Sequence, residues 1–337
     1  MTKYLSDKLT ILYTLLIIMV VYIHSYYLEA EQYPIALFLQ KLTGGGICGV
    51  ANCLFFCISG YLFARNINNI HECFSKQKKR IRTLLIPYIL WNVLFVLWYV
   101  VLEYVPGVSR FNNSVGLLDK YFNTPIWECL HNLFVAPAAF QLWFLRDLLV
   151  MSLFTPLLWW VAKKQWVVAL VIALCFMPVY GWLLYYWIGI MMGVTKCDLE
   201  NYPRSKWATL IGSVLFLGYA VYVALGNEST RFVGMFISIL GLYLVWNIYD
   251  LVAKGRCLAS RGLWKYICGY SFFIYCFHEP AFNIIKKLAL VVFGKSEPVL
   301  IIFYFINPWI MVFVAVLTAK WFQRMTPQIY KVLTGGR

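Results

Sequence analysis

The sequence predicts an all-α, polytopic membrane protein with about ten transmembrane helices and both termini in the cytoplasm. Three observations predict it. Hydrophobic residues make up 62% of the 337 positions and charged residues only 13%, against roughly 45–50% and about 25% in a soluble domain. Apolar windows long enough to cross a hydrocarbon layer of about 30 Å recur along the whole chain. Lys and Arg gather in alternate loops, 21 on the expected cytoplasmic side against 7 outside, which is the bias that orients a membrane protein.

The first window, 9–27 (LTILYTLLIIMVVYIHSYY), is too long for the apolar part of a secretory signal. No small-residue cleavage site follows it, so it reads as a span. With Lys8 at the inner surface, His24 lies about 24 Å along the helix, in the outer leaflet. Windows 47–64 and 84–104 follow, separated by a basic stretch. Residues 127–139, interrupted by Glu128, His131 and Pro137, read as a helix lying in the interface or re-entering. Windows 142–162, 166–178 and 180–195 come next, the last two sharing a tight turn at 178–181. Windows 207–225, 231–252, 270–293 and 299–322 complete the ten. Residues 1–325 thus read as one membrane domain and 326–337 as a short cytoplasmic tail, with no fused outer domain expected. The net charge of +15 is that of cytoplasmic anchoring, and no nucleic-acid partner is expected. Nine of the ten cysteines fall in spans or cytoplasmic loops, so no outside disulfide is expected, and Cys48, Cys53 and Cys57 read as packing residues.

Several polar residues sit where apolar ones would cost less. His24 near the end of the first span is either wetted by headgroups or functional, since an ionisable group at membrane depth needs a partner, water or a task. Thr10, Tyr13 and Ile17 share its face. Ser59, Gly60 and Tyr61 put a small polar break into the second span. Lys78, Lys79, Arg80 and Arg82 stand where the chain re-enters the membrane, either as anchors or as a cytoplasmic phosphate site, because Arg forks match phosphate oxygens. In the fourth span, Arg146 and Asp147 are neighbours that point about 100° apart, so they are expected to face different partners. Trp143 shares the face of Asp147, which is a candidate to orient and charge-pair His24; the alternative is a structural ion pair with another span. In the ninth span Ser271, Tyr275 and His278 form a polar stripe beside Glu279. Pro280 is expected to kink this helix around residue 276 and to mark a water-lined cavity. Asn307 and Pro308 are a second break in the same wall or ordinary packing.

A first span ending in His, then FFxxSGYL, then a basic stretch running into R-x-L-L-x-P-Y, resembles acyltransferase family 3 of membrane O-acyltransferases. LWFLRDLLVMSLFTPLL (142–158) and YSFFIYCFHEP (270–280) resemble that family's later signatures. The resemblance covers about residues 9–322. It implies transfer of an acyl group, usually acetyl from acetyl-CoA, to a hydroxyl of a cell-surface or lipid-linked glycan at the outer face of a bacterial cytoplasmic membrane. It makes His24 the catalytic histidine; for the chemistry at that residue, Asp147 is the expected partner of its imidazolium, and Arg146 or a chain amide the expected donor to the oxyanion. Lys79, Arg80, Arg82 and Tyr61 become the expected acyl-CoA contacts, and Trp143, Tyr275, His278 and Glu279 the lining of the substrate cavity. No metal is expected; glycan-assembly proteins or a second copy are further partners. One position departs from the pattern. Family members commonly carry Arg or Lys eleven residues before the histidine, and here that residue is Tyr13. A transporter of a glycan or small polar molecule on the same fold, and a scaffold for glycan assembly, are the competing readings.

Overall fold

A computed structural model of the protein describes residues 1–105, 118–176, 181–200 and 205–336. Among them the secondary structure is helical throughout. The turn expected at 178–181 lies almost wholly outside the described residues. The principal helices are α1 (Lys3–Ile23), α2 (Pro34–Gln40), α3 (Val50–Ala64), α4 (Ile70–Tyr104), α5 (Ile126–Phe134), α6 (Trp143–Lys164) and α7 (Trp166–Phe176). After them come α8 (Trp182–Val194), α9 (Lys206–Ala224), α10 (Arg231–Ala253), α11 (Ser271–Phe293), α12 (Glu297–Met325) and α13 (Pro327–Leu333).

Among the described residues each of the ten apolar windows contains a helix. Seven helical segments among the described residues are long and apolar enough to cross a membrane, the second of them running from Pro34 to Ala64. Helices α7 and α8 are apolar but shorter, and α11 carries Glu279, Lys286 and Lys287. The protein is therefore a polytopic membrane protein. Of the stretch 127–139 only the part to Phe134 is helical, forming the short α5 with no residue buried, as in an interfacial helix; Ala138 and Ala139 beyond it are buried.

The chain divides into two compact units, one of residues 1–67 and 158–320, the other of residues 68–157 and 321–337. In the first, α1 packs against α3 and α11, and α3 packs along α8. The α3–α8 contact explains Ser59-Gly60-Tyr61, which is no break: α3 runs on through it to Ala64. A Cβ on Gly60 would strike the carbonyl oxygen of Tyr186, and one on Gly189 that of Cys57; at Gly193 it would come within 2.8 Å of Ala64 Cβ. Gly189 and Gly193 form the G-x-x-x-G spacing that lets two membrane helices touch backbone to backbone.

Lys8 does not sit at an aqueous surface. Its ammonium is 2.7 Å from Asp250 of α10 and both side chains are 1% exposed. It donates to Trp246 O at 3.0 Å and lies 3.7 Å from the centre of the Trp246 ring. Tyr4 donates to the other carboxylate oxygen at 2.6 Å. In the sequence Lys8 reads as a flanking charge, because its counter-charge lies 242 positions away.

In the second unit α4 starts fourteen residues before the window at 84. Asn69 and Glu72 cap it reciprocally: Asn69 Oδ1 accepts from Glu72 N at 2.9 Å, and Glu72 accepts from Asn68 N at 2.9 Å. This capping box launches a helix that Lys, Arg and Gln propagate well. The basic residues are thus helical, not in a loop. Tyr88 and Tyr99 donate to Phe134 O and Ala138 O, both at 2.8 Å, Gln77 to Ser152 O at 2.9 Å, and Trp91 to Leu333 O at 3.1 Å. Helix α4 is thereby the post on which α5, α6 and α13 are fastened. Gly335, at φ +67°, brings its backbone against Thr83 O. All ten cysteines are free thiols, with Cys48, Cys53 and Cys57 buried.

Candidate active site

Helix α1 ends at Ile23 and His24 is its C-cap residue, half-buried, with helical backbone angles (φ −85°, ψ −2°). The turn that follows is secured from two sides. Ser25 donates to Tyr304 O of α12 at 3.0 Å, and Tyr22 to Phe305 O at 3.1 Å. From α11, Lys286 donates to His24 O at 3.0 Å and to Tyr26 O at 3.3 Å. An ammonium on these carbonyls matches the negative end of the helix dipole. Lys286 was not singled out from the sequence. Its signal was present, seven positions after Glu279 on the same side of a helix.

Helix α11 breaks at Glu279, whose ψ of 141° is extended. The break falls three residues later than the kink expected around 276. Proline excludes the helical basin for the residue before it, and that effect outweighs the lost hydrogen bond one turn earlier. His278 and Glu279 therefore stand at the end of one helical segment, and Asn283, which donates to Glu279 Oε2 at 2.9 Å, at the start of the next.

His278 is fully buried. Its Nδ1 lies 2.7 Å from Tyr275 O. A carbonyl can only accept, so Nδ1 carries the proton and Nε2 the lone pair. That Nε2 is buried without a hydrogen-bond partner. The His278 ring centre is 5.2 Å from that of His24, and the Tyr275 ring is 6.3 Å from His278. Two imidazoles, a carboxyl and a half-buried ammonium thus converge where α1 ends and α11 bends. A buried ring nitrogen with a free lone pair is the equipment of general base catalysis.

The other sequence-predicted residues fall into separate groups. Tyr61 is buried on α3, its ring 5.7 Å from the Arg65 guanidinium carbon. Lys79 and Arg82 are exposed on α4 at a helical spacing of three, with Arg80 half-buried between them. Arg146 and Asp147 do not face different partners: Arg146 Nε donates to Asp147 Oδ1 at 2.8 Å, and its Nη2 is 2.7 Å from the same oxygen. Three methylenes let the guanidinium fold back across the 100° between neighbours. The third guanidinium nitrogen, Nη1, donates to Val135 O. Trp143 is half-buried one turn before Asp147, its ring edge-on to Phe144. Tyr13 packs on Phe55 with ring centres 5.4 Å apart. Asn307 lies in an unbroken α12 and donates to Tyr27, which is packing and not a second break.

Comparison with known proteins places this arrangement. A family profile described as an acyltransferase domain, that of acyltransferase family 3, matches residues 8–321. The chain belongs to acyltransferase family 3. A further relative is the succinoglycan biosynthesis protein ExoH of Rhizobium meliloti (strain 1021), 25% identical over 363 positions that cover 98% of this chain and 92% of that one. No solved structure matches. Family membership makes the histidine pair a candidate for acyl transfer.

Proposed function

We propose that the protein is a membrane O-acyltransferase that moves an acyl group, acetyl in the first instance, from cytoplasmic acyl-CoA to a hydroxyl of a cell-surface or lipid-linked glycan. The observation that carries this reading is the His24–His278 pair, with ring centres 5.2 Å apart and the lone pair of His278 unengaged. The name of the succinoglycan relative supports a glycan acceptor. The protein acts in a bacterial cytoplasmic membrane with both termini inside.

In this reading His24 takes the proton of the acceptor hydroxyl as the oxygen attacks the thioester carbon. An ester C–O bond forms and the C–S bond breaks. The CoA thiolate leaves and receives the proton from the imidazolium, so the protein is regenerated. His278, its tautomer held by Tyr275, orients His24, and Tyr275 and Glu279 line the substrate cavity. Lys79, Arg80 and Arg82 on α4 hold the phosphates of the donor.

Incubating the purified protein with radiolabelled acetyl-CoA and a lipid-linked glycan tests this. Labelled glycan is expected from the wild type. His24→Ala is expected to lower transfer about 10²- to 10⁴-fold while expression and membrane insertion stay normal. Wild-type transfer in that variant removes His24 from the mechanism.

A further inference from the structure

Between α2 and α3 the chain runs through a π-helical turn, Lys41–Ile47, containing three consecutive glycines. Two of them have packing reasons to be small. A Cβ on Gly44 would come within 3.3 Å of the Tyr304 hydroxyl, and one on Gly46 within 2.8 Å of Ala220 Cβ. Gly45 has none: nothing lies within 4 Å of the position its Cβ would take, and its φ is not positive. What Gly45 adjoins is space. It lines one cavity of about 420 Å³ with Ile23, Tyr26, Gln40, Lys41 and Tyr304, and a second of about 500 Å³ with Trp182, Tyr185 and Arg231. The first cavity reaches Ile23 and Tyr26, on either side of His24.

Gln40 gives that cavity its chemistry. Its side chain is 2% exposed. The Tyr27 backbone N–H donates to Oε1 at 2.8 Å, which fixes the amide's orientation. Its other end, Nε2, is buried without a hydrogen-bond partner. A buried amide N–H₂ left unpaired is costly, and a ligand oxygen would relieve it. Lys41 adds a cation to the same wall, and Tyr26 and Tyr304 add phenol rings. Donors beside aromatic faces suit a hydroxylated ring, with polar edges and apolar C–H faces. One cation without an Arg fork suits a phosphate poorly.

We propose that the cavity bounded by Tyr26, Gln40, Lys41, Gly45 and Tyr304 is the sugar subsite for the acceptor, its ring oxygens and hydroxyls accepting from Gln40 Nε2 and Lys41. This assignment rests on the acyl-transfer reading for its role, but binding can be tested without catalysis. Saturation-transfer NMR on the protein in phosphatidylcholine nanodiscs, which avoids sugar detergents, is run with the methyl pyranosides of glucose, galactose and mannose. At least one is expected to give saturation transfer with the wild type and equally with His24→Ala. Gly45→Leu, which fills the open space, is expected to abolish it. Gln40→Glu keeps the acceptor for Tyr27 N–H but removes the donor, and is expected to weaken binding about fivefold, the equivalent of one neutral hydrogen bond. Gly218→Leu on α9, at a position with nothing within 4 Å and lining neither cavity, is expected to fold and bind as the wild type. Absence of signal with all three sugars, or an undiminished signal in Gly45→Leu, overturns the assignment. Binding accompanied by no acetyl transfer in the wild type refutes the transferase and leaves the sugar site standing.

Discussion

Removing Asp250 isolates a buried electrostatic contact. In the wild type the Lys8 ammonium has one counter-charge at 2.7 Å, one carbonyl at 3.0 Å and one indole face at 3.7 Å. Asp250→Ala keeps the carbonyl and the Trp246 and Tyr249 rings but removes this counter-charge, in a site where both side chains were 1% exposed. It also removes the carboxylate to which Tyr4 donates. Breaking a buried pair from one side costs about 3–5 kcal/mol, because the remaining charge has no escape to water. For a chain of this size that loss lowers the melting temperature by on the order of 5–10 °C. Replacing both partners, as Lys8→Met with Asp250→Leu, strands no charge and is expected to restore most of the loss. The assay is thermal challenge in detergent, with the surviving folded fraction read by size-exclusion fluorescence. A single variant that melts within about 1 °C of the wild type, or a double variant as unstable as the single, refutes the argument.

Two further perturbations address the donor side and the packing. Arg82→Ala is expected to weaken acyl-CoA binding about tenfold, the value of one charge-assisted hydrogen bond, read as a dissociation constant by isothermal titration; unchanged affinity leaves anchoring as the only role of that residue. Gly189→Leu forces a side chain onto the Cys57 carbonyl and must drive α3 and α8 apart. It is expected to cost more than about 3 kcal/mol and to abolish the monodisperse peak in size exclusion, while Gly218→Leu, where nothing lies within 4 Å, keeps it.

The helices were legible because each apolar window is a local property of the chain, and among the described residues each of the ten contains a helix. Their ends were less so. The basic run at 78–82 looked like a loop because charge dominates a hydropathy window, yet the capping box at Asn69 and Glu72 decided where α4 begins. His24 and His278 were each visible, one as a misplaced polar group in a span and the other through a motif. Their adjacency was not, since 254 positions separate them and only the packing of α1 on α11 joins them. The same holds for Lys8 and Asp250, whose burial is mutual and meaningless for either alone. Arg146 with Asp147 failed differently: the helical wheel places Cβ atoms, not the ends of long side chains. Gln40 carried no signal, because an orphaned amide nitrogen exists only once Tyr27 has claimed its oxygen.

The glycine contact between α3 and α8 bears on motion. Helices that meet through side chains can slide, because rotamers on both surfaces exchange one set of holes for another. Where Gly60 faces the Tyr186 carbonyl and Gly189 faces that of Cys57, there are no rotamers to exchange. Any displacement must either part the two backbones or leave them untouched. Helices α3 and α8 therefore behave as a single double-stranded beam within their unit. Movement within the unit falls instead to helices held by side chains, and α11 already carries an extended residue at Glu279 about which to bend.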